Sequence, residues 1–83
     1  MTTNVKGKFL CVNSGTFKDE RTGAERPYNS ALILCEHNGL FNVEKVSLRS
    51  DVDSFKNLKF GQEVDFTVDV RVFNNKVSLS FGA

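Results

Sequence analysis

The feature that most constrains the fold of this chain is a strict two-residue alternation near its C-terminal end. Every second side chain of one stretch is apolar: Val64, Phe66, Val68, Val70 and Val72. The residues between them are mostly polar, and successive side chains of a β-strand point to opposite faces of its sheet. Valine and phenylalanine also favour strands. The pattern therefore predicts a strand over residues 64–73 whose five apolar side chains face a core.

A hairpin is predicted directly after this strand. Asn74 and Asn75 follow it, and asparagine tolerates the positive φ angles that a two-residue hairpin turn requires. The alternation then resumes, with apolar side chains at Val77, Leu79 and Phe81. We expect these three to join the same core, while Arg71 and Phe73 point outward near the end of the hairpin.

A second hairpin is predicted upstream around Asn38-Gly39, the dipeptide most typical of two-residue hairpin turns. The strand before it covers residues 28–36, and its continuous apolar run over 31–35 predicts burial on both faces. The strand after it covers residues 40–49. The inward side chains of that strand are predicted to be Val46 and Leu48.

The first strand is predicted over residues 5–17. It contains Gly7 and Gly15, and glycine inside a strand often marks a β-bulge or a sharp coil; small barrels need such bends in order to close. A polar, charged loop over residues 18–25 follows. Pro27 then stands at the start of the next strand, where its missing N–H costs least.

Residues 50–58 are the one segment without a strand pattern. Ser50 is a candidate N-cap, and Asp53 follows three residues later, close to a capping-box pattern. The apolar side chains of the segment recur every three residues: Val52, Phe55 and Leu58. We therefore predict one or two helical turns that cover an end of the barrel.

The predicted order is strand, strand, strand, helix, strand, strand. With 83 residues, the chain is expected to form one domain over residues 1–83. In so short a chain this order predicts an all-β, five-stranded OB-fold barrel with one short helix between strands three and four. An SH3-like barrel is the alternative, but barrels of that kind usually lack a helix at this point. Because so small a domain buries only about 60–65% of its unfolded surface, dimerisation would add useful buried area.

Charge and motifs exclude several classes of function. Eleven Lys or Arg residues against ten Asp or Glu residues give a net charge of +1, so any electrostatic argument depends on where the charges lie. No apolar run is long enough to span a bilayer and no secretory pattern is present, which predicts a soluble, cytoplasmic protein. No nucleotide-binding, hydrolase or metalloprotease motif occurs. We therefore expect no enzyme, cofactor, metal or small-molecule substrate.

The cysteines and the histidine show no metal-binding pattern. Cys11 and Cys35 are far apart in the sequence, without a C-x-x-C or a paired histidine motif. We expect both thiols to be free, small and mostly buried. They would be cross-strand neighbours if strands one and two pair antiparallel around their loop. His37 precedes a turn and is expected at the solvated surface.

Binding is the remaining class of function. OB domains bind single-stranded nucleic acid on strands two and three, and with the loops between strands one and two and between strands four and five. Exposed aromatic rings stack on bases for about 1–3 kcal/mol per base, and lysine and arginine neutralise phosphates. The candidates in these places are Phe17, Lys18, Arg21, Arg26, Tyr28, Phe41, Lys45, Arg49, Arg71, Phe73 and Lys76.

These residues also have structural interpretations. The alternatives for the aromatic residues are a place in the core for Phe17, a half-buried place at the barrel rim for Tyr28, a cross-strand contact for Phe41 and a dimer contact for Phe73. The arginines of the first loop could simply be solvated. Lys45 and Arg49 could form surface ion pairs with Glu36 and Glu44, which contribute little to stability. The candidates converge on one predicted face, and this convergence favours the binding interpretation.

The segment Gly23-Ala24-Glu25-Arg26-Pro27-Tyr28-Asn29 resembles the filamentous-phage helix-destabilising proteins. The resemblance implies a short, single-OB protein that coats single-stranded DNA cooperatively as a homodimer, and a phage or mobile-element origin. In that family the tyrosine after the proline contacts DNA, as do basic residues of the preceding loop and an aromatic residue of a later hairpin. The resemblance places these roles on Tyr28, on Arg21 and Arg26, and on Phe73.

Three functions are consistent with the sequence. The first is a sequence-tolerant single-stranded DNA-binding protein that protects exposed strands during replication. The second is an OB-type protein-interaction module or inhibitor, which the low net charge favours. The third is an RNA-binding OB domain similar to cold-shock proteins, although the aromatic-rich tract of those proteins is absent from strands two and three.

Overall fold

The structure confirms the predicted order of elements. It is a computed structural model that describes residues 1–82. Its elements are β1 (Thr2–Lys18), β2 (Glu25–His37), β3 (Leu40–Leu48), α1 (Val52–Lys56), β4 (Glu63–Phe73) and β5 (Lys76–Phe81). Each predicted strand is present, and its ends lie within a few residues of the predicted ones.

The five strands close into a barrel in the order β1-β2-β3-β5-β4. The long β1 closes it, because its first half pairs with β4 and its second half pairs with β2. All ladders are antiparallel except the one between β3 and β5, which is parallel. A five-stranded closed barrel with a helix between β3 and β4 has the OB-like arrangement that the element order predicted.

Both predicted hairpin turns have the expected backbone. Asn38 and Gly39 have φ angles of 54° and 80°, and Asn74 and Asn75 have φ angles of 50° and 62°. Positive φ at both central residues is the property of the turn type that matches the twist of the flanking strands. The two turns therefore set the β2–β3 and β4–β5 registers.

The register shift of β1 against β2 lies at neither glycine, so of the two expectations for Gly7 and Gly15 the bulge is wrong. The β1–β2 register shifts between Phe9 and Cys11 instead. Gly7 is needed for a different reason, since a Cβ at this position would collide with the carbonyl oxygen of Leu34. Gly15 lies beneath the ring of Tyr28.

The core is formed by inward residues of β1, β2, β3 and β4, together with one residue of α1. The buried apolar side chains are Val5, Phe9, Ala31, Ile33, Cys35, Val46, Leu48, Phe55 and Val68. Phe55 of α1 packs edge-to-face on Phe66 and Phe81, with ring centroids 5.2 and 5.1 Å away. The helix therefore covers one end of the barrel with an aromatic cluster, as predicted.

The helix begins differently from the prediction. Ser50 is not the N-cap. Asp51 occupies that position in the left-handed region, with φ 57° and no side-chain capping hydrogen bond. The Ser50 side chain instead lies against Gly82. A Cβ at position 82 would collide with the hydroxyl oxygen of Ser50. No helix within the described part of the chain is both long and apolar enough to cross a membrane.

Val72 and Val77 do not join the core, contrary to the prediction. They pair with each other across β4 and β5, and their side chains are 64% and 66% exposed. The reason is that β1 pairs with β4 only up to Asp69 and β3 pairs with β5 only from Leu79 onward. Residues 71–78 therefore extend beyond the barrel, and no other strand covers them.

The two cysteines are not neighbours, and only one of them is buried. Cys11 lies opposite Leu32 and is exposed, whereas Cys35 lies opposite Asn42 and is buried. Burial, with a smaller contribution from the negative charge of Glu44, raises the pKa of the Cys35 thiol above its ordinary value. Because the bulge shifts the register, Cys11 faces outward while Cys35 faces the core. His37 is exposed, as predicted.

Candidate nucleic-acid interface

The outward side chains of β1, β2 and β3 form one continuous surface, which we call the outer face. Ala31, Ile33 and Val46 point into the core, so their neighbours along β2 and β3 point away from it. The register then aligns these outward residues in rows across the three strands. The residues of the outer face include Cys11, Asn13, Gly15, Phe17, Arg26, Tyr28, Leu32, Leu34, Phe41, Val43, Lys45, Ser47 and Arg49.

An aromatic pair occupies the end of the outer face next to the loop between β1 and β2, which we call its upper end. Tyr28 lies opposite Gly15, and a Cβ at Gly15 would stand 2.7 Å from the Tyr28 hydroxyl oxygen. The tyrosine ring therefore lies across the glycine. The ring of Phe17 is 6.4 Å from it between centroids, tilted by 45°. Phe17 and Tyr28 remain 50% and 39% exposed, so neither is a core residue.

Arg26 stands beside this aromatic pair, and Arg49 lies at the same end of the outer face. Arg26 lies opposite Phe17, and its Nε is 3.3 Å from Oδ2 of Asp19. Asp19 also accepts a hydrogen bond of 2.9 Å from the backbone N–H of Arg21, so it holds the loop and neutralises part of the Arg26 charge. Arg49 directly follows β3 and is exposed, and its backbone N–H donates to the carbonyl oxygen of Phe81.

Lys45 extends the positive charge toward the middle of the outer face. It lies opposite Leu32 and is exposed. The ion pairs considered for Lys45 and Arg49 with Glu36 and Glu44 are not formed, since the single ion pair among residues 1–82 is that of Arg26. The side chains of Lys45 and Arg49 therefore remain available to a ligand.

Phe41 lies at the other end of the outer face, next to the turn between β2 and β3, which we call its lower end. It is opposite Glu36 in the β2–β3 ladder and is 67% exposed. Its cross-strand partner is thus a carboxylate and not an apolar side chain. The ring does not hold the hairpin by apolar pairing.

The predicted residues of the β4–β5 hairpin form a second group. Arg71 lies opposite Ser78, and Phe73 lies opposite Lys76. These two pairs share one face of the hairpin, and Val72 and Val77 lie on the other face. Phe73 is 76% exposed. The structure brings Arg71, Phe73 and Lys76 together, as predicted, but on a projecting hairpin and not within the rows of the outer face.

Two predicted residues belong to neither group. Lys18 lies opposite Glu25 and follows Phe17 directly, so it points to the other side of the β1–β2 ribbon. Arg21 is exposed in the turn after Asp19. Six of the eleven candidates therefore share the outer face: Phe17, Arg26, Tyr28, Phe41, Lys45 and Arg49.

Sequence reasoning missed two lysines that border the same surface. Lys6 and Lys8 are exposed and alternate with the inward residues Val5, Gly7 and Phe9. Lys8 lies opposite Leu34 of the outer face. The same alternation that located the other candidates would have identified both.

The described residues contain no cluster of His, Cys, Asp and Glu that could hold a metal ion. The surface combines exposed aromatic rings with cations: Arg26 is paired with Asp19, and Lys45 and Arg49 form no ion pair within residues 1–82. Comparison of the chain with models of known protein families, with curated proteins and with solved structures found no match.

Proposed function

We propose that this protein binds single-stranded DNA on the outer face, with little dependence on sequence. The observation that carries the proposal is the exposed Phe17–Tyr28 pair, with Arg26 directly opposite Phe17 and Arg49 exposed at the same end of the outer face. Unpaired bases expose their ring faces, and each stacked base contributes about 1–3 kcal/mol. A duplex hides those faces, so the same surface discriminates between single and double strands.

Electrostatic attraction supplies the second part of the binding free energy. Arg26, Lys45 and Arg49 would neutralise backbone phosphates and release counterions. For single strands, each neutralised phosphate contributes about −0.7 to the slope of log K against log salt, so three contacts predict a slope of about −2. If Arg71 and Lys76 also contact the strand, the slope becomes about −3.5. The slope therefore reports whether the hairpin takes part.

The proposed cellular role is to protect exposed DNA strands during replication. Resemblance of the segment 23–29 to filamentous-phage helix-destabilising proteins supports this role, and with it a phage or mobile-element origin and action in the host cytoplasm. A coating protein must tolerate any sequence. Stacking and phosphate contacts meet that need, because every base has a ring face and every nucleotide has a phosphate.

Fluorescence polarisation with labelled oligo(dT), and with a duplex of equal length as control, tests this function. Tyr28→Ala should weaken oligo(dT) binding about 5- to 150-fold, as expected for one lost stacking contact. Phe60→Ala is the matched control. Phe60 is an exposed aromatic side chain like Tyr28, and at 82% against 39% it is the more exposed of the two, but its turn is bonded to Phe9, about 20 Å along β1 from Gly15. No binding to oligo(dT) at low salt would reject the proposal.

A protein-binding surface is the second candidate, and the projecting hairpin favours it. Val72 and Val77 expose an apolar pair on the face opposite Phe73. Paired apolar side chains beyond the end of a barrel gain burial when another molecule covers them. We propose that this face supports self-association, in agreement with the homodimer that the resemblance implies.

A further inference from the structure

A groove opens at the lower end of the outer face, where β1 separates from β2. The β1–β2 ladder begins at the pair of Lys8 and Leu34, and the residues of β1 before Lys8 pair only with β4. The groove has a volume of about 580 Å³, within the range of about 300–1,000 Å³ that is usual for small-ligand sites. Gly7 makes this geometry possible, because any side chain there would collide with β2.

The lining of the groove suits a nucleobase with its phosphate. Leu34 and Val64 give it apolar surface, and the exposed ring of Phe41 lies at its edge. Lys6 and Lys8 also line it, and neither is held by an ion pair in residues 1–82. A ring for stacking and cations for a phosphate are thus present in one groove.

Three carboxylates of the groove differ in their availability. Asp65 accepts a hydrogen bond of 3.0 Å from Nδ2 of Asn4, and Glu63 lies directly opposite Lys8. The carboxylates of Glu36 and Glu63 accept no hydrogen bond within residues 1–82, but only Glu36 lies directly opposite Phe41. A base stacked on Phe41 would therefore bring its edge close to the free oxygens of Glu36.

We propose that this groove takes one unstacked base of the bound strand and prefers cytosine to thymine through Glu36. A carboxylate only accepts hydrogen bonds. Cytosine presents an N4 amino group that donates, whereas thymine presents the O4 oxygen, which would face the carboxylate as a second acceptor. The inference rests on the proposed function and adds a base preference at one position of an otherwise tolerant surface.

The groove and the aromatic pair are separate contacts on the same surface. Tyr28 and Glu36 both point outward on β2, about 26 Å apart along the strand. Site sizes of about 4–16 nucleotides per OB domain leave room for both contacts on one bound strand. Leu34 and Phe41 belong to both the groove and the outer face, so the two contacts are continuous.

Competition by oligo(dC) and oligo(dT) of equal length, about 16 nucleotides, at neutral pH and low salt tests the proposal. The wild-type protein should bind oligo(dC) at least about 5-fold more tightly than oligo(dT), which corresponds to the lower end of single-base discrimination. Glu36→Gln replaces one acceptor oxygen by an amide donor that suits O4, so the ratio should fall to about one.

Glu20→Gln is the matched control, since it removes the same charge from the exposed loop and should leave the ratio unchanged. Equal affinities in the wild-type protein, or a preference that Glu36→Gln leaves intact, would overturn the base preference while the proposed function stands. Failure of both oligomers to bind would overturn the proposed function and this inference together.

Discussion

Tyr28 lies directly across the β1–β2 ladder from Gly15, and its ring occupies the space that a side chain at position 15 would need. One side of the ring is therefore supported by the sheet and the other is open to solvent. Aromatic rings held in this way lose little conformational freedom when a base stacks on them, because they are already ordered.

Gly15→Ala is expected to weaken single-strand binding although residue 15 itself need not touch DNA. Its Cβ would stand within 3 Å of Tyr28 ring atoms and would displace the ring. The loss should not exceed that of Tyr28→Ala, about 1–3 kcal/mol. Unfolding by denaturant should show a change in stability within about 1 kcal/mol. Thr16→Ala, on the opposite side of β1, is the control; unchanged affinity of Gly15→Ala would contradict the role given to the ring.

Asp19→Asn is expected to strengthen binding at low salt. The amide can still accept the backbone N–H of Arg21, but it no longer neutralises Arg26. The salt slope should become steeper, whereas Arg26→Ala should reduce its magnitude by about 0.7. Salt titrations of the two variants measure both effects. Identical slopes for the two variants would show that Arg26 makes no phosphate contact.

The two faces of the β4–β5 hairpin are expected to separate two properties. Val77→Ser should reduce self-association, measured by sedimentation velocity, and leave stability within about 0.5 kcal/mol because the side chain is exposed. Phe73→Ala should leave the sedimenting mass unchanged, and if the salt slope shows that the hairpin contacts the strand, the same variant should weaken oligo(dT) binding. A wild-type protein that sediments as a monomer at all concentrations would refute self-association through this face.

The two cysteines are expected to differ strongly in reactivity. Cys11 is exposed on the outer face, so a maleimide should label it first and bound oligo(dT) should slow that labelling. Cys35 is buried, and its pKa is raised above the ordinary value of 9.0. Mass spectrometry of the labelled protein locates each adduct. Labelling of Cys11 at the same rate with and without oligo(dT) would place the bound strand elsewhere.

The raised pKa of Cys35 also has a consequence for stability. The folded state disfavours its thiolate, so the unfolded chain loses the proton at lower pH than the folded chain does. The contribution of the neutral Cys35 thiol to the free energy of unfolding is therefore complete below pH 9.0, and it is lost as the pH rises above that value. Cys35→Ser should remove this part of the alkaline loss, as measured by denaturant unfolding across that range.

Most of the fold could be predicted because its signals are local. Alternation located the strands, and the dipeptides Asn38-Gly39 and Asn74-Asn75 located two turns. Alternation does not show where a barrel ends, and for this reason Val72 and Val77 were expected in the core. The bulge between Phe9 and Cys11 has no local sign either, because it depends on how β1 curves to reach both β2 and β4.

The composition of the candidate site was easier to predict than its arrangement. The outward positions of Tyr28, Lys45 and Phe73 follow from alternation. The contact of Tyr28 with Gly15 depends on the β1–β2 register across a polar loop, which no turn dipeptide specifies. The groove at Lys8 depends on the separation of two strands. Both features arise from tertiary geometry and not from local pattern.

The most direct test of the central claim is a ¹⁵N–¹H correlation spectrum of the protein titrated with oligo(dT). If the outer face binds the strand, the largest shift changes should fall on Gly15, Tyr28 and Lys45, and the amides of α1 should move little. Changes confined to α1 and its flanking turns, or no changes at low salt, would contradict the claim.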